Sequence, residues 1–260
     1  MLRAFSTAAT GMTAQQTMVD VIANNLANVN TTGFKRSQID FKDLLYTQMI
    51  AAGAEVAAGI NNPGGVEVGN GVRVAATPKI FQLGEMENTG NPLNVAIQGD
   101  GFLQVTLPDG TIRYTRDGSL QLNANGEIVT SAGYALEPAI SIPTDSVGVE
   151  IGPDGTVNNI SSTGITVVGT IQLARFPNPS GLDSLGNNLF AENDASGTPT
   201  TGTPGSSGFG SLQSGFLEKS NVQMVTELVN LIKAQRAYEI NSRVIRAGDD
   251  MLRTANEIVR

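Results

Sequence analysis

The chain has 260 residues, a net charge of −8, and no Cys, His or Trp. Disulfides, thiolate chemistry, imidazole metal sites and histidine acid–base catalysis are thereby excluded, while the length suffices for a real core and one to three domains. The charge is uneven: residues 46–218 carry five basic against sixteen acidic groups, a net of −11, and the two ends are slightly basic. An acidic body argues against nucleic acid and anionic membrane as partners.

The opening MLRAFSTAATGM lacks the uninterrupted apolar core of a signal peptide, so any export is expected to proceed without a cleaved leader. No apolar run approaches the roughly 18 residues of a membrane span. Phe5, Ala8, Met12, Gln15, Val19, Ile22, Leu26 and Val29 recur at alternating steps of 3 and 4, which predicts a helix over about 3–28 with one apolar stripe. Asn24, Asn25 and Asn28 are poor helix formers near its end. Two readings of them stay open: cross-helix hydrogen bonding, or simple fraying. Asn28 to Gly33 then supplies a stop, with Gly33 suited to a left-handed turn.

Phe34 to Tyr46 reads as extended and then briefly helical. The tract Tyr46–Pro63 is Ala/Gly-rich without amphipathic period and reads as a linker or long loop. From Val66 short alternating runs are broken by Asp109-Gly110, Asn125-Gly126 and Asp154-Gly155. Such pairs are strong hairpin signals and predict an antiparallel β domain over 66–204. Residues 205–219 form a return connector. A second helix is expected from Ser220, where Ser220 and Gln223 have capping-box spacing. Its stripe runs Met224, Leu228, Leu231, Gln235, Tyr238, Ser242, Ile245, Asp249, Leu252, Asn256 and Val259. A sustained 3.5-residue period belongs to helices packed lengthwise on other helices. About half of the seam positions are weak, which favours packing between subunits over a purely internal core. Arg236, Tyr238 and Glu239 are interhelical contacts or a solvated face. The expected fold class is α+β: long terminal helices, a coiled-coil-like pair, bracketing an antiparallel all-β domain.

Three segments then carry a resemblance. ANNLANVNTTGFKR resembles the N-terminal signature of the flagellar rod and hook family, and GFLEKSNVQMVTELVNLIKAQRAYEINSRVI its C-terminal signature. GDGFLQVTLPDGTIRYTRDGSLQLNANGEIV is similar to the family's β-domain motif. Asn24, Asn25, Asn28, Thr32, Gly33, Phe34, Ser220, Asn221, Arg236, Glu239 and Asn241 are the positions on which the terminal motifs rest. Chain length and the tract from Tyr46 to Pro63 make the sequence most similar to distal-rod members.

The resemblance implies a non-enzymatic structural subunit that polymerises helically into a rigid hollow drive shaft passing torque from motor to hook. Implied self-assembly residues are Phe5, Met12, Val19, Ile22, Leu26, Val29, Leu228, Leu231, Gln235, Tyr238, Ile245 and Leu252. Implied segments are an N-terminal axial helix and stop (1–44), a connecting segment with the rod-specific tract (45–65), the β domain (66–204), the return connector (205–219) and a C-terminal axial helix (220–260). Implied partners are further copies of the chain, neighbouring rod proteins, the hook protein, P- and L-ring proteins in a Gram-negative envelope, and the flagellar export apparatus. The implied location is the periplasmic rod of the basal body, reached without a cleaved signal peptide. No cofactor, metal, nucleic acid or small-molecule substrate is expected.

Three alternatives stand beside this reading. A proximal rod subunit is the nearest. A glycosidase working through Asp100, Asp117 or Glu127 needs no His, but the chain lacks Trp and has only four Tyr to line a sugar cleft. A trimeric fibre would show coiled-coil trimers. Asn123, Asn125 and Glu127 lack the full ligand series of a calcium loop, and the hairpin turn accounts for them.

Overall fold

A computed structural model describes residues 2–258 apart from 54, 58, 59, 62, 144, 163 and 207; the stripe position Val259 lies outside the described residues, and so do parts of the 46–63 tract. The chain divides into two compact units. One comprises residues 1–26, 37–78 and 224–260, and the other residues 27–36 and 79–223.

The first unit holds both long helices, α1 (Leu2–Ala27) and α2 (Met224–Ile258). Thr7, Thr13 and Thr17 lie inside α1, where hydroxyls usually compete with the helix. Here each donates back to the carbonyl four residues earlier, Arg3, Ala9 and Thr13, so the helix needs no outside partner for them. The helix gives way to a turn in which Thr31 N–H donates to the Asn28 carbonyl.

Helix α2 starts at Met224, four residues later than the Ser220 cap spacing suggests. Ser220 is buried, and its hydroxyl accepts the Val222 N–H within a non-helical run. Ser220 is therefore no helix cap. No helix among the described residues is long and apolar enough to cross a membrane.

The rest of this unit is one two-stranded ribbon. Asp40–Asp43 pairs with Val72–Ala76, Thr47–Ile50 with Val66–Val68, and Glu55–Ala57 with Ile60–Asn61, all antiparallel. The 46–65 stretch read as a loop is thus built into paired strands. The first arm of the ribbon, Asp40–Asp43 and Thr47–Ile50, is exposed at nearly every position, so no buried side imposes a strand period on it.

The second unit is the β body. Its main sheet has nine strands among the described residues, ordered around Phe102–Thr106, which pairs with Ile112–Thr115 on one side and with Ala135–Glu137 and Leu173–Arg175 on the other. Ser146–Ile151, Thr156–Ser161 and Gly164–Thr170 form a three-stranded antiparallel sheet. Each of the three Asx-Gly pairs closes a hairpin: Asp109-Gly110, Asn125-Gly126 and Asp154-Gly155 sit between directly paired strands. Leu103, Val105, Leu136, Val157, Ile171 and Leu173 are completely buried in one apolar cluster. The return connector is strand as well, since Ser211–Ser214 pairs with Val95–Gln98 and Phe216–Glu218 with Met86–Asn88.

Candidate functional site

Two features stand out: the helical faces of the first unit and a buried ionic node in the second.

Along the helices, a Cβ added at Gly248 of α2 would lie 2.7 Å from the Phe5 ring of α1, and one at Gly11 would lie 2.9 Å from the Asn241 carboxamide. Gln16 and Val19 share a groove of about 400 Å³ with Gln235, Tyr238 and Glu239. The partner numbers fall as the α1 numbers rise, so the two helices run antiparallel past one another. On α2 the buried and half-buried positions include Glu227, Leu231, Ala234, Asn241, Ile245 and Gly248. The inner face is therefore rotated from the stripe expected to pack between subunits: Leu231 and Ile245 belong to both, while Leu228 (42 % exposed), Gln235, Tyr238 and Leu252 stay exposed. Small residues account for the rotation. Ala234 and Gly248 admit close approach, which a seam of larger side chains would prevent.

What remains outside is a second apolar stripe. Val225 (75 % exposed), Val229, Ile232, Ile240, Val244 and Met251 are all exposed on α2. On α1, Phe5, Met12, Val19, Leu26 and the following Val29 are half-covered, and Ile22 is buried. Arg236 is exposed, and Glu239 pairs with Arg243 only as a solvated contact at 4.0 Å. The ribbon adds exposed Leu45, Tyr46, Met49, Ile50 and Val66, and Pro63 is exposed too.

Among the asparagines near the end of α1, Asn25 takes a backbone partner beyond the helix. Asn25 is buried and forms a two-way bridge: its Nδ2 donates to the Ser37 carbonyl and its Oδ1 accepts the Ser37 N–H, both at 2.9 Å. It copies a strand partner for one residue. Asn28 Oδ1 accepts the Thr31 hydroxyl, a local turn contact, and Asn24 sits on an exposed side.

The node was not anticipated. Lys35 and Glu218 form an ion pair whose side chains are 0 % and 1 % exposed. Lys35 Nζ also donates to the Gln82 carbonyl at 2.7 Å, and Glu218 Oε1 accepts the Gly84 N–H at 2.9 Å. Arg116 Nη1 faces Glu218 Oε2 at 3.8 Å, donates through both Nη atoms to the Gly99 carbonyl, and lies over the Phe102 ring. Burial pulls both Lys35 and Arg116 below their ordinary values, against the opposing pull of the Glu218 carboxylate.

Gly33 completes the corner. Its φ is +67°, its N–H donates to the Glu218 carbonyl, and a Cβ there would sit 2.7 Å from the Arg116 backbone. The Thr32 carbonyl accepts Asn188 Nδ2, and Lys79 Nζ lies 4.9 Å from the centre of the Phe34 ring. Asn221 Oδ1 accepts the Arg36 N–H, while its Nδ2 donates to the carbonyls of Ile80 and Gln82.

Two of the three carboxylates considered for sugar hydrolysis are engaged in turns. Asp117 Oδ1 accepts the Ser119 N–H and hydroxyl, and Glu127 Oε2 accepts Asn123 Nδ2. Asp100 lines a small pocket of about 140 Å³ beside Arg116 and Phe102.

Comparison with known proteins agrees across the chain. The family described as "Flagella basal body rod protein" matches residues 5–35, "Flagellar hook protein FlgE/F/G D1 domain" matches 96–159, and "Flagellar basal body rod FlgEFG protein C-terminal" matches 213–258. The flagellar basal-body rod protein FlgG of Borreliella burgdorferi is 47 % identical over 264 residues, covering 100 % of both chains. The protein of that name from Buchnera aphidicola subsp. Schizaphis graminum is 48 % identical over 96 % of each chain, and that from Bacillus subtilis 40 % identical over 97 % of each.

Proposed function

This chain belongs to the flagellar basal-body rod family as a structural, non-enzymatic subunit, and from that premise we propose how it builds the distal rod. Copies polymerise helically through the terminal helices into a stiff hollow shaft. Neighbouring rod proteins lie on one side, the hook protein on the other, and the P- and L-ring proteins around it in a Gram-negative envelope. The chain reaches that place through the flagellar export apparatus.

The observation that carries this reading is the second apolar stripe of α2. Val225, Val229, Ile232, Ile240, Val244 and Met251 are exposed on a helix whose inner face is already turned toward α1. Burying such a side chain is worth about 1.5–3 kcal/mol, so a row of them left in water favours association. One self-complementary patch would close a dimer. Two different faces, the outer stripe of α2 and the half-covered stripe of α1, support head-to-tail contacts that propagate. Coiled-coil-like packing of these faces between copies is the arrangement proposed, with Phe5, Met12, Val19, Leu26 and Val29 contributing from α1 and Leu228 and Leu252 from α2. The ribbon carrying Tyr46 and Pro63 is assigned to contacts that hold the shaft straight, on the support of its exposed apolar side chains.

Negative-stain electron microscopy of the concentrated full chain, beside a chain lacking residues 1–30, tests the proposal. Straight tubes are expected from the full chain only. Tubes from both would remove α1 from the assembly interface.

A further inference from the structure

The chain passes between its two units at four places, 26/27, 36/37, 78/79 and 223/224. Three of the segments beside those passages, Gly33–Arg36, Lys79–Gly84 and Glu218–Asn221, meet inside the β body, and two side chains of the third segment each hold the other two. Glu218 takes Lys35 through its carboxylate and Gly33 through its carbonyl, and its Oε1 also takes the Gly84 N–H. Asn221 takes the Arg36 N–H on one side and the Ile80 and Gln82 carbonyls on the other. The first two segments are also tied directly: Ile80 N–H donates to the Arg36 carbonyl, and Lys79 Nζ to the Lys35 carbonyl.

Apolar side chains would give such a junction comparable stability, because desolvating an ammonium, a guanidinium and a carboxylate offsets most of their attraction. What ionic and hydrogen-bonded partners add is direction: each fixes one atom against another, whereas apolar contacts tolerate sliding. We infer that the Glu218–Lys35–Arg116 node, with Asn221, is a clamp that keeps the chain's passages into the β body from shifting when force is applied. Load carried along the backbone through the passages at 36/37, 78/79 and 223/224 runs through these segments. The mechanical part rests on the rod reading above; the local part does not.

Native-state hydrogen exchange on the purified full chain tests the local part, using Lys35→Met/Glu218→Leu and, separately, Asn221→Ala. The reporters are the Gly33 and Ile80 amides, whose backbone acceptors survive both changes. Their exchange is expected to rise by about tenfold or more, while the Phe102–Thr106 strand keeps its protection. Unchanged reporters, or reporters that rise only together with that strand, would overturn the clamp. Asn221→Ala leaves the buried charges paired, so it decides the matter if the double variant does not fold.

For the mechanical part, cells relying on the Asn221→Ala chain are expected to build rods yet lose swimming speed more steeply than wild type as viscosity rises. Equal slopes would overturn it. A wild-type chain absent from purified basal bodies would sink the rod reading, and the exchange result, which needs no assembly, would still decide the clamp.

Discussion

The two units solve the burial problem in opposite ways. The β body closes on itself: Leu103, Val105, Leu136 and Leu173 are out of water entirely, and even its buried charges find one another. The helical unit does not close. Its inner seam is built on Ala234, Gly248 and Asn241, and it leaves larger side chains such as Val225 and Ile240 exposed. A subunit that must stay a monomer hides its apolar residues behind the best seam available. This one has small residues on the internal seam and leaves large ones on the outer face.

Leu103→Ala should break the self-sufficient side of that contrast most severely. Removing a wholly buried leucine from the middle of the main sheet is expected to cost about 3 kcal/mol, read from denaturant unfolding followed by β-sheet circular dichroism. A variant with an unaltered midpoint would show that the core adapts and is less tightly packed than described.

Gly33→Ala comes next, at about 2 kcal/mol. It forces a side chain into a positive-φ position already crowded by the Arg116 backbone, and the same unfolding curve reports it.

Ile232→Asp with Val244→Asp sharpens the other side. Both sites are exposed, so the isolated chain should change stability by no more than about 0.5 kcal/mol. Tube formation should nevertheless be abolished. Tubes that persist by electron microscopy would remove the outer stripe from the interface.

The smallest effect concerns acid. Thr111 and Thr156 donate hydroxyl and backbone N–H to Asp109 and Asp154, holding both carboxyls below their ordinary 3.8. A folded value below the unfolded one means stability that is present above that pH and lost as pH falls through the folded value. Asp109→Ala with Asp154→Ala should therefore lower stability slightly at neutral pH and flatten the acid limb, the two chains converging once pH falls below the folded values. An identical acid limb in the variant would show that these turns do not contribute.

Much of this architecture is legible in the residues, for reasons that also explain what is not. The 3-4 recurrence from Phe5 to Val29 and the Asx-Gly pairs act over a few residues, so helices and hairpins can be read locally. The rotated seam of α2 is not legible, because hydrophobicity ranks Leu228 above Ala234 while close packing between helices prefers the smaller residue. The first arm of the ribbon lacks a buried face and so lacks a period. The node fails to announce itself because a lone Lys, Arg or Glu defaults to the surface. A signal was there: Lys35, Arg116 and Glu218 each fall in one of the three recognised motifs, beside glycines and aromatics in GFKR, YTRDG and GFLEK. Ser220 misled for the same reason, since its capping spacing is local while its neighbours Glu218 and Asn221 answer to partners far along the chain.

One consequence concerns time. Lys35 and Glu218 are separated by 183 positions, so the corner near the first helix stays unfinished until nearly the whole polypeptide exists. At ribosomal speeds that interval is roughly 10 to 40 s. Until then Gly33–Arg36 lacks the partners that Glu218 and Asn221 supply. The late stretch Glu218–Asn221 is thus the one that completes the corner.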